Sequence, residues 1–141
     1  MNEQVAETLS VVVERELSFP PEKIWRALTQ PHLLEEWLMK NDFKPIAGHQ
    51  FRLRMDPLPN WDGVIDCRVL IVEPNKTLSY TWGALGLETA VTFTLTPTST
   101  GTHLRMEQTG FRRDQPQNYQ GAKYGWQKFL GQLEQLLARM Q

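Results

Sequence analysis

The sequence predicts an α+β protein in which one antiparallel sheet packs against a long C-terminal helix. Apolar residues recur at helical spacing at the end of the chain, whereas through its middle they alternate with polar residues at a period of two. The alternating segments are separated by reversals of a few residues, which are too short for a parallel crossover. We therefore expect one strand, two short helices, five or six antiparallel strands and the final helix, in that order.

The predicted final helix runs from Asn118 to Met140 and has one apolar face. At about 100° per residue, its apolar side chains fall on one arc roughly 120° wide, and Lys, Gln, Glu and Arg occupy the opposite side. We expect this arc to lie against the sheet. Its members are Tyr119, Ala122, Trp126, Phe129, Leu130, Leu133, Leu136, Leu137 and Met140.

The N-terminal part of the chain predicts one strand and two short helices. Leu9 to Ser18 is rich in β-branched residues, and alternation places Arg15 on the same face as the apolar residues two positions away. Pro20-Pro21 ends the strand and supplies a proline for the start of a helix, where its missing N–H is harmless. We expect Thr29 to cap the second helix, which has Pro31 in its first turn.

Five further segments alternate as strands with one buried face do. The loop from Pro57 to Gly63 and the reversals at Pro74-Asn75-Lys76, Gly83 to Gly86 and Pro97 to Gly101 separate these five segments. The residues expected to face the helix are Phe51, Leu53 and Met55; Ile65, Cys67, Val69 and Ile71; Leu78, Tyr80 and Trp82; Val91, Phe93 and Leu95; and Leu104, Met106 and Gln108.

Composition and charge exclude several classes of protein. The 141 residues (1–141) are expected to form one domain, and a net charge of −1 argues against a nucleic-acid partner. The longest aliphatic run, Val11-Val12-Val13, is far shorter than the ~20 residues of a membrane span, so no membrane association is expected. The single cysteine, Cys67, excludes an internal disulfide and suits a reducing compartment. Met1 to Thr8 lacks the apolar run of a signal peptide, so a cytoplasmic location is expected.

No catalytic or metal-binding motif stands in the sequence. His32, His49 and His103 are scattered over different predicted elements, and Cys67 is equally isolated, so we expect neither a metal site nor a cofactor. No Gly-x-Ser-x-Gly, Gly-x-Gly-x-x-Gly or P-loop motif occurs. A Ser-His-Asp arrangement assembled by the fold stays open.

Five short segments carry a resemblance to a known family: Phe19-Pro20-Pro21-Glu22-Lys23-Ile24-Trp25-Arg26-Ala27-Leu28-Thr29, Leu34-Glu35-Glu36-Trp37, Leu78-Ser79-Tyr80-Thr81-Trp82, Gln108-Thr109-Gly110-Phe111 and Gly125-Trp126. Their order and spacing resemble the START-like (SRPBCC, pollen-allergen-type) superfamily. The nearer resemblance is to the branch named for the activator of the heat-shock-protein-90 ATPase. It implies the helix-grip fold, in which a curved seven-stranded antiparallel sheet wraps around the C-terminal helix. Two short helices lie between the first two strands, and a cavity separates the sheet from the long helix.

The resemblance implies a domain that binds a small apolar or aromatic molecule in this cavity. The superfamily includes lipid and hormone carriers, polyketide cyclases and co-chaperone domains, so two alternatives stay open. One is a cyclase or hydrolase that uses the same cavity. The other is a co-chaperone-type interaction module with a chaperone partner, although 141 residues leave no room for the separate N-terminal domain of the eukaryotic co-chaperones. The sequence also leaves a homodimer open.

Aromatic residues lie on the elements that would surround the cavity, and small-molecule sites are mostly apolar with a few polar groups. The polar candidates are Arg15 and Gln108, which would be neighbours if the first and last strands pair. Because an unpaired buried charge is costly, Arg15 is either part of a structural ion pair or an anchor for an acidic ligand. The predicted cavity-lining residues are Arg15, Trp37, Trp61, Cys67, Trp82, Phe93, Gln108, Trp126, Phe129 and Leu133.

Three glycines, Gly121, Gly125 and Gly131, fall inside the predicted final helix but outside its apolar arc. Each lowers helix stability by up to ~1 kcal/mol relative to Ala. We hypothesise that Gly121 and Gly125 make the first turns of the helix easy to deform, so that one mouth of the cavity can open. The alternative is that Gly121 precedes the start of the helix.

Overall fold

The computed structural model describes residues 8–141, and its elements follow the predicted order. The expectation about a signal peptide concerns Met1 to Thr8 and, apart from Thr8, lies outside the described residues. The strands are β1 (Thr8–Leu17), β2 (Lys40–Asn41), β3 (Gln50–Arg54), β4 (Val64–Glu73), β5 (Thr77–Ala84), β6 (Leu87–Pro97) and β7 (Thr102–Arg112). The helices are α1 (Pro21–Thr29), α2 (Pro31–Trp37) and α3 (Pro116–Arg139).

The seven strands form one antiparallel sheet in the order β1-β7-β6-β5-β4-β3-β2. The first strand pairs with the last, as the resemblance implied, and the strands from β2 to β7 follow each other as a meander. The long helix α3 contacts β1, β7, α1 and α2, so it lies across the inner face of the curved sheet. The predicted α+β helix-grip fold is confirmed.

The inner face of the sheet and the apolar arc of α3 form the core. Alternation in the strands buries the predicted residues in β3 to β7, apart from the partly exposed Trp82 and the two exceptions given below, and five residues of the α3 arc are buried against them. Because each of these five lies three or four residues from another, the helical register predicted from the sequence is confirmed. They are Trp126, Leu130, Leu133, Leu136 and Leu137.

Two residues predicted to face inward are exposed. A β-bulge between Val69 and Ile71 inserts one extra residue in β4, so Ile71 turns to the outer face and is 43% exposed. Met55 is exposed because β3 ends at Arg54 and the chain leaves the sheet there. Periodicity predicts an inner face only as long as the ladder continues without an insertion or an end.

The predicted helix cap at Thr29 is wrong. Thr29 is the last residue of α1, and its hydroxyl donates to the carbonyl oxygen of Trp25 at 2.7 Å, four residues back. Gln30 occupies the N-cap position of α2 and forms no side-chain capping bond. Gly121 lies inside α3, which begins at Pro116, so the alternative that this glycine precedes the helix is also wrong.

No helix in residues 8–141 combines the length and the apolar character needed to cross a membrane. Within the same range, no group of three or more His, Cys, Asp or Glu side chains is arranged to hold a metal ion.

Candidate functional site

Aromatic rings of β5, β6 and α3 meet where the helix lies over the sheet. The Trp126 ring of α3 contacts Trp82 of β5 at 5.4 Å, Phe93 of β6 at 5.8 Å and Phe129 of its own helix at 5.6 Å between ring centroids. Trp126 and Phe93 are buried, whereas Trp82 and Phe129 are partly exposed. We call these four rings the outer ring cluster, because they run from the solvent into the core.

A second group of rings lies deeper, and we call it the inner ring cluster. Tyr80 of β5 contacts Phe51 of β3 at 5.2 Å, Phe93 at 6.1 Å and Phe43 at 6.2 Å between centroids. All four rings are buried. Phe93 belongs to both clusters, so aromatic contacts continue from Phe129 at the edge of the helix to Tyr80 in the middle of the sheet.

The structure brings most of the predicted aromatic residues together. Trp37 packs edge-on against Phe93 at 6.2 Å, and its indole N–H donates to the carbonyl oxygen of Ala27 at 2.8 Å, so α2 is held to α1 at this point. Leu133 is fully buried two turns further along α3 than Trp126. Trp61 lies in the loop between β3 and β4, where it is partly buried and packs against the core.

The Trp61 loop forms one side of a surface cleft of about 570 Å³. The Trp61 N–H donates to the carbonyl oxygen of Val64 at 3.2 Å, and Leu58 and Leu85 are exposed in the lining of the same cleft. Because Asp66 pairs with Gly83, the loop before β4 and the turn after β5 lie at the same end of the sheet. Trp82 is at this end as well.

A chain of three hydrogen bonds links the helix to three strands, β7, β6 and β5. The Trp126 N–H donates to Gln108 Oε1 at 2.7 Å, the Gln108 amide donates to Thr89 Oγ1 at 2.8 Å, and the Thr89 hydroxyl donates to the Trp82 carbonyl oxygen at 2.8 Å. Gln108 and Thr89 are buried. Each of these side chains has a partner, so the chain fixes the Trp126 ring without leaving a side-chain nitrogen or oxygen atom unpaired.

Arg15 does not neighbour Gln108, contrary to the prediction. In the β1–β7 ladder Arg15 pairs with Leu104, whereas Gln108 pairs with Val11. The Arg15 guanidinium instead donates to Gln127 Oε1 at 2.6 Å and to the Glu14 carbonyl oxygen at 3.0 Å, and it lies 3.8 Å from Glu134 Oε1.

Arg15 thus joins the outer edge of α3 to the edge strand β1. Its side chain is 27% exposed and forms an ion pair with the carboxylate of Glu134 in α3. The structural alternative named for this residue therefore matches its contacts.

Tyr80 carries a polar atom that is buried and unpaired. Its hydroxyl has no hydrogen-bond partner among the described residues. Burial raises the pKa of Tyr80 well above its ordinary value, and the neighbouring Cys67 adds to this rise. The phenol is therefore neutral and keeps its proton.

Cys67 faces inward as predicted, and its surroundings keep the thiol protonated. Its thiol points toward the Ile65 carbonyl oxygen at 3.8 Å. Burial first, and then the negative charges of Asp66 and Asp42, raise the pKa of the Cys67 thiol, so the reactive thiolate is disfavoured.

Sequence reasoning missed Tyr80 and Thr89 as site residues. Both stand at positions whose parity with neighbouring apolar residues predicts an inward side chain, and that signal was present for each. The alternation predicted for this strand begins at Val91, whereas β6 begins at Leu87, so Thr89 lies outside the predicted segment. For Tyr80, the sequence could not show that its hydroxyl lacks a partner.

Two other clefts lie on the surface, and the lining of one of them includes Phe51 of the inner ring cluster. One, of about 590 Å³, is lined mainly by charged side chains of β3 and β4, where Arg52 and Asp66 form an ion pair at 3.0 Å. The other, of about 630 Å³, lies between the start of α1 and the ends of strands, with Pro21, Leu95 and Pro97 in its lining.

A comparison with known protein families shows which family the chain belongs to. The model of the family described as Activator of Hsp90 ATPase homolog 1-like protein matches residues 18–138. The chain belongs to this family. The resemblance carried by the five short segments is thereby confirmed.

Solved structures share the family's architecture with the chain. The X-ray structure of protein MLL2253 from Mesorhizobium loti has a TM-score of 0.89 and 63% identity, and the match covers 94% of this chain and 99% of that one. The solution structure of BH1534 from Bacillus halodurans has a TM-score of 0.79 and 27% identity over 93% of this chain and 99% of the other. DynU16, described as a putative protein in the dynemicin biosynthetic locus, has a TM-score of 0.80 and 27% identity. That match covers 92% of this chain and 47% of DynU16. No curated protein matches the chain.

Proposed function

We propose that the protein binds a small apolar or aromatic molecule between the inner face of the sheet and α3. The observation that carries this proposal is the continuous row of rings from Phe129 through Trp126 and Phe93 to Tyr80, with centroid distances of 5.6, 5.8 and 6.1 Å. Aromatic rings offer a large apolar surface with defined geometry, which suits a flat ligand.

The ligand enters at the end of the sheet where Trp82 and Phe129 are partly exposed. Exposed apolar side chains of the Trp61 loop and of the turn after β5 lie at the same end, and Leu58 and Leu85 are 55% and 68% exposed. Apolar groups that flank the opening favour the capture of an apolar molecule. The relationship to DynU16, a protein described by a biosynthetic locus, supports small-molecule chemistry for this fold.

Replacement of one ring at the opening tests the proposal. We expect 2-acetylnaphthalene, an aromatic probe, to quench the tryptophan fluorescence of the wild-type protein saturably. Phe129→Ala should weaken this binding by roughly tenfold, since it removes one wall of the site, and tenfold corresponds to about 1.4 kcal/mol.

Tyr124→Ala is the matched control, because Tyr124 is an aromatic residue of the same helix that is 77% exposed. It should bind the probe as the wild type does. Equal binding by Phe129→Ala and Tyr124→Ala, or no saturable binding by the wild type, would overturn the proposal.

A further inference from the structure

We propose that the Tyr80 hydroxyl is the recognition group of this site, and that it selects neutral aromatic ligands that carry a carbonyl oxygen. This inference rests on the proposed function, since it concerns the polar end of the same site. It names a class of ligand, aromatic ketones and their relatives, that the ring contacts alone do not specify.

The surroundings of Tyr80 give its hydroxyl no structural purpose. The ring is fully buried among Phe43, Phe51 and Phe93, and phenylalanine would make the same ring contacts. A buried hydroxyl without a partner loses its hydrogen bonds to water and gains none in return. Such a group in a folded protein therefore calls for an explanation, and a ligand that accepts its hydrogen bond supplies one.

The other inward polar groups are already occupied. Trp126, Gln108 and Thr89 donate along their own hydrogen-bond chain, which ends on the Trp82 carbonyl oxygen. The Cys67 thiol points toward the Ile65 carbonyl oxygen. Among the described residues, the Tyr80 hydroxyl is thus the buried side-chain nitrogen or oxygen atom that has no hydrogen-bond partner.

The charge of the surroundings decides which oxygen the ligand presents. The rings around Tyr80 are apolar, and Arg15 is committed to Gln127 and Glu134 at the edge of α3. A carboxylate moved into this site would lose its hydration without meeting a cation, whereas a ketone oxygen needs only the one hydrogen bond. Since burial raises the pKa of Tyr80, the phenol keeps the proton that it donates.

Two probes that differ in one oxygen test the inference. 2-Acetylnaphthalene and 2-ethylnaphthalene have the same ring system and similar size, but only the ketone accepts a hydrogen bond. We expect the wild-type protein to bind the ketone more tightly by roughly three- to tenfold, the range of one net hydrogen bond. Tyr80→Phe should bind both probes equally and unfold at the same or a higher urea concentration than the wild type.

The control is Tyr124→Phe, which removes a hydroxyl from an exposed tyrosine and should keep the preference for the ketone. Equal binding of both probes by the wild type, or a preference that survives in Tyr80→Phe, would overturn this inference and leave the proposed function standing. A Tyr80→Phe protein that unfolds at lower urea would also overturn it, since the hydroxyl would then have an internal partner. If neither probe binds the wild type, the proposed function fails and this inference fails with it.

Discussion

The indole N–H of Trp126 donates to Gln108 Oε1 at 2.7 Å, and this bond ties the middle of α3 to β7 inside the core. Gln108 passes the connection on to Thr89 through its amide group, at 2.8 Å. One glutamine therefore satisfies both a helix donor and a strand hydroxyl. The bond fixes the position of the Trp126 ring, which contacts Phe93, the residue shared by the outer and inner ring clusters.

Replacement of Gln108 should show how much this connection stabilises the fold. In Gln108→Leu the Trp126 N–H is left buried without an acceptor, and an unpaired buried donor costs about 1–3 kcal/mol. We expect the free energy of unfolding, measured by urea titration, to fall by that amount. Gln135→Leu, at an exposed position of α3, is the control and should change it by less than about 0.5 kcal/mol. Equal stability of the two variants would show that the bond contributes nothing.

Arg15 should stabilise the packing of α3 on β1 without taking part in ligand binding. Arg15→Met removes the hydrogen bond to Gln127 and the ion pair with Glu134, and we expect a loss of roughly 0.5–1.5 kcal/mol in a urea titration. Arg112→Met, which breaks an exposed ion pair with Asp114 two residues away, should cost less.

The same Arg15→Met variant tests the ligand-anchor alternative with a charged probe. We expect 2-naphthoate to bind the wild type more weakly than 2-acetylnaphthalene does, and the variant to bind both as the wild type does. Tight binding of 2-naphthoate that disappears in Arg15→Met would show instead that the guanidinium anchors acidic ligands.

Gly125 should make α3 less stable than it could be. A Cβ atom at this position would meet only a ring atom of Phe129 at 4.0 Å, which is an ordinary contact. Gly125→Ala should therefore stabilise the protein by about 0.5–1 kcal/mol. If the glycine lets the helix open, the variant should also exchange 2-acetylnaphthalene more slowly, as NMR line shapes would show.

The variant Gly131→Ala separates an effect on the stability of the protein from an effect on the opening of the helix. Gly131 lies further along the same helix, with nothing within 4 Å of its added Cβ, so it should stabilise the fold similarly but leave the exchange rate unchanged. A stabilised Gly125→Ala protein with the wild-type exchange rate would remove the hypothesis that this helix gates the site.

His103 should make the stability of the β1–β7 edge depend on pH. Its pKa is raised, chiefly by the hydrogen bond to Glu16; burial opposes this rise, and the hydrogen bond to Glu14 adds to it. A raised pKa in the folded state means that the stabilisation is fully present below the unfolded pKa of about 6.5 and is lost as the pH rises through the folded pKa.

His103→Gln should accordingly lower the urea midpoint at about pH 5.5 and have little effect at about pH 9. His32→Gln, at an exposed position of α2, is the control for the loss of an imidazole. A difference between wild type and His103→Gln that grows with rising pH would contradict this assignment.

Much of the fold could be predicted because its patterns are local. The arc of α3 and the alternation through Phe93 and Trp82 follow from helix and strand periods, and the structure buries or half-buries these residues as expected. The bulge before Ile71 has no such signal, because a bulge depends on how two strands align. The bulge turns Ile71, which the pattern assigns to the core, to the outer face of the sheet.

The site was harder to predict because it depends on contacts between distant elements. The sequence places Arg15 on the inner face, but only the position of α3 shows that Arg15 donates a hydrogen bond to Gln127 and forms an ion pair with Glu134. Likewise, parity places Tyr80 inward, whereas its unpaired hydroxyl follows from the apolar rings that other elements bring around it. The enzymatic and chaperone alternatives stay predictions.

The five tryptophan indole N–H signals in a ¹H–¹⁵N NMR spectrum test the proposed site most directly, because each reports on a different place in the fold. On titration with 2-acetylnaphthalene, the signals of Trp82 and Trp126 should shift most. That of Trp25, on α1, should move little. Large shifts confined to Trp25 or Trp61, with Trp82 and Trp126 unchanged, would contradict a ligand site between the sheet and α3.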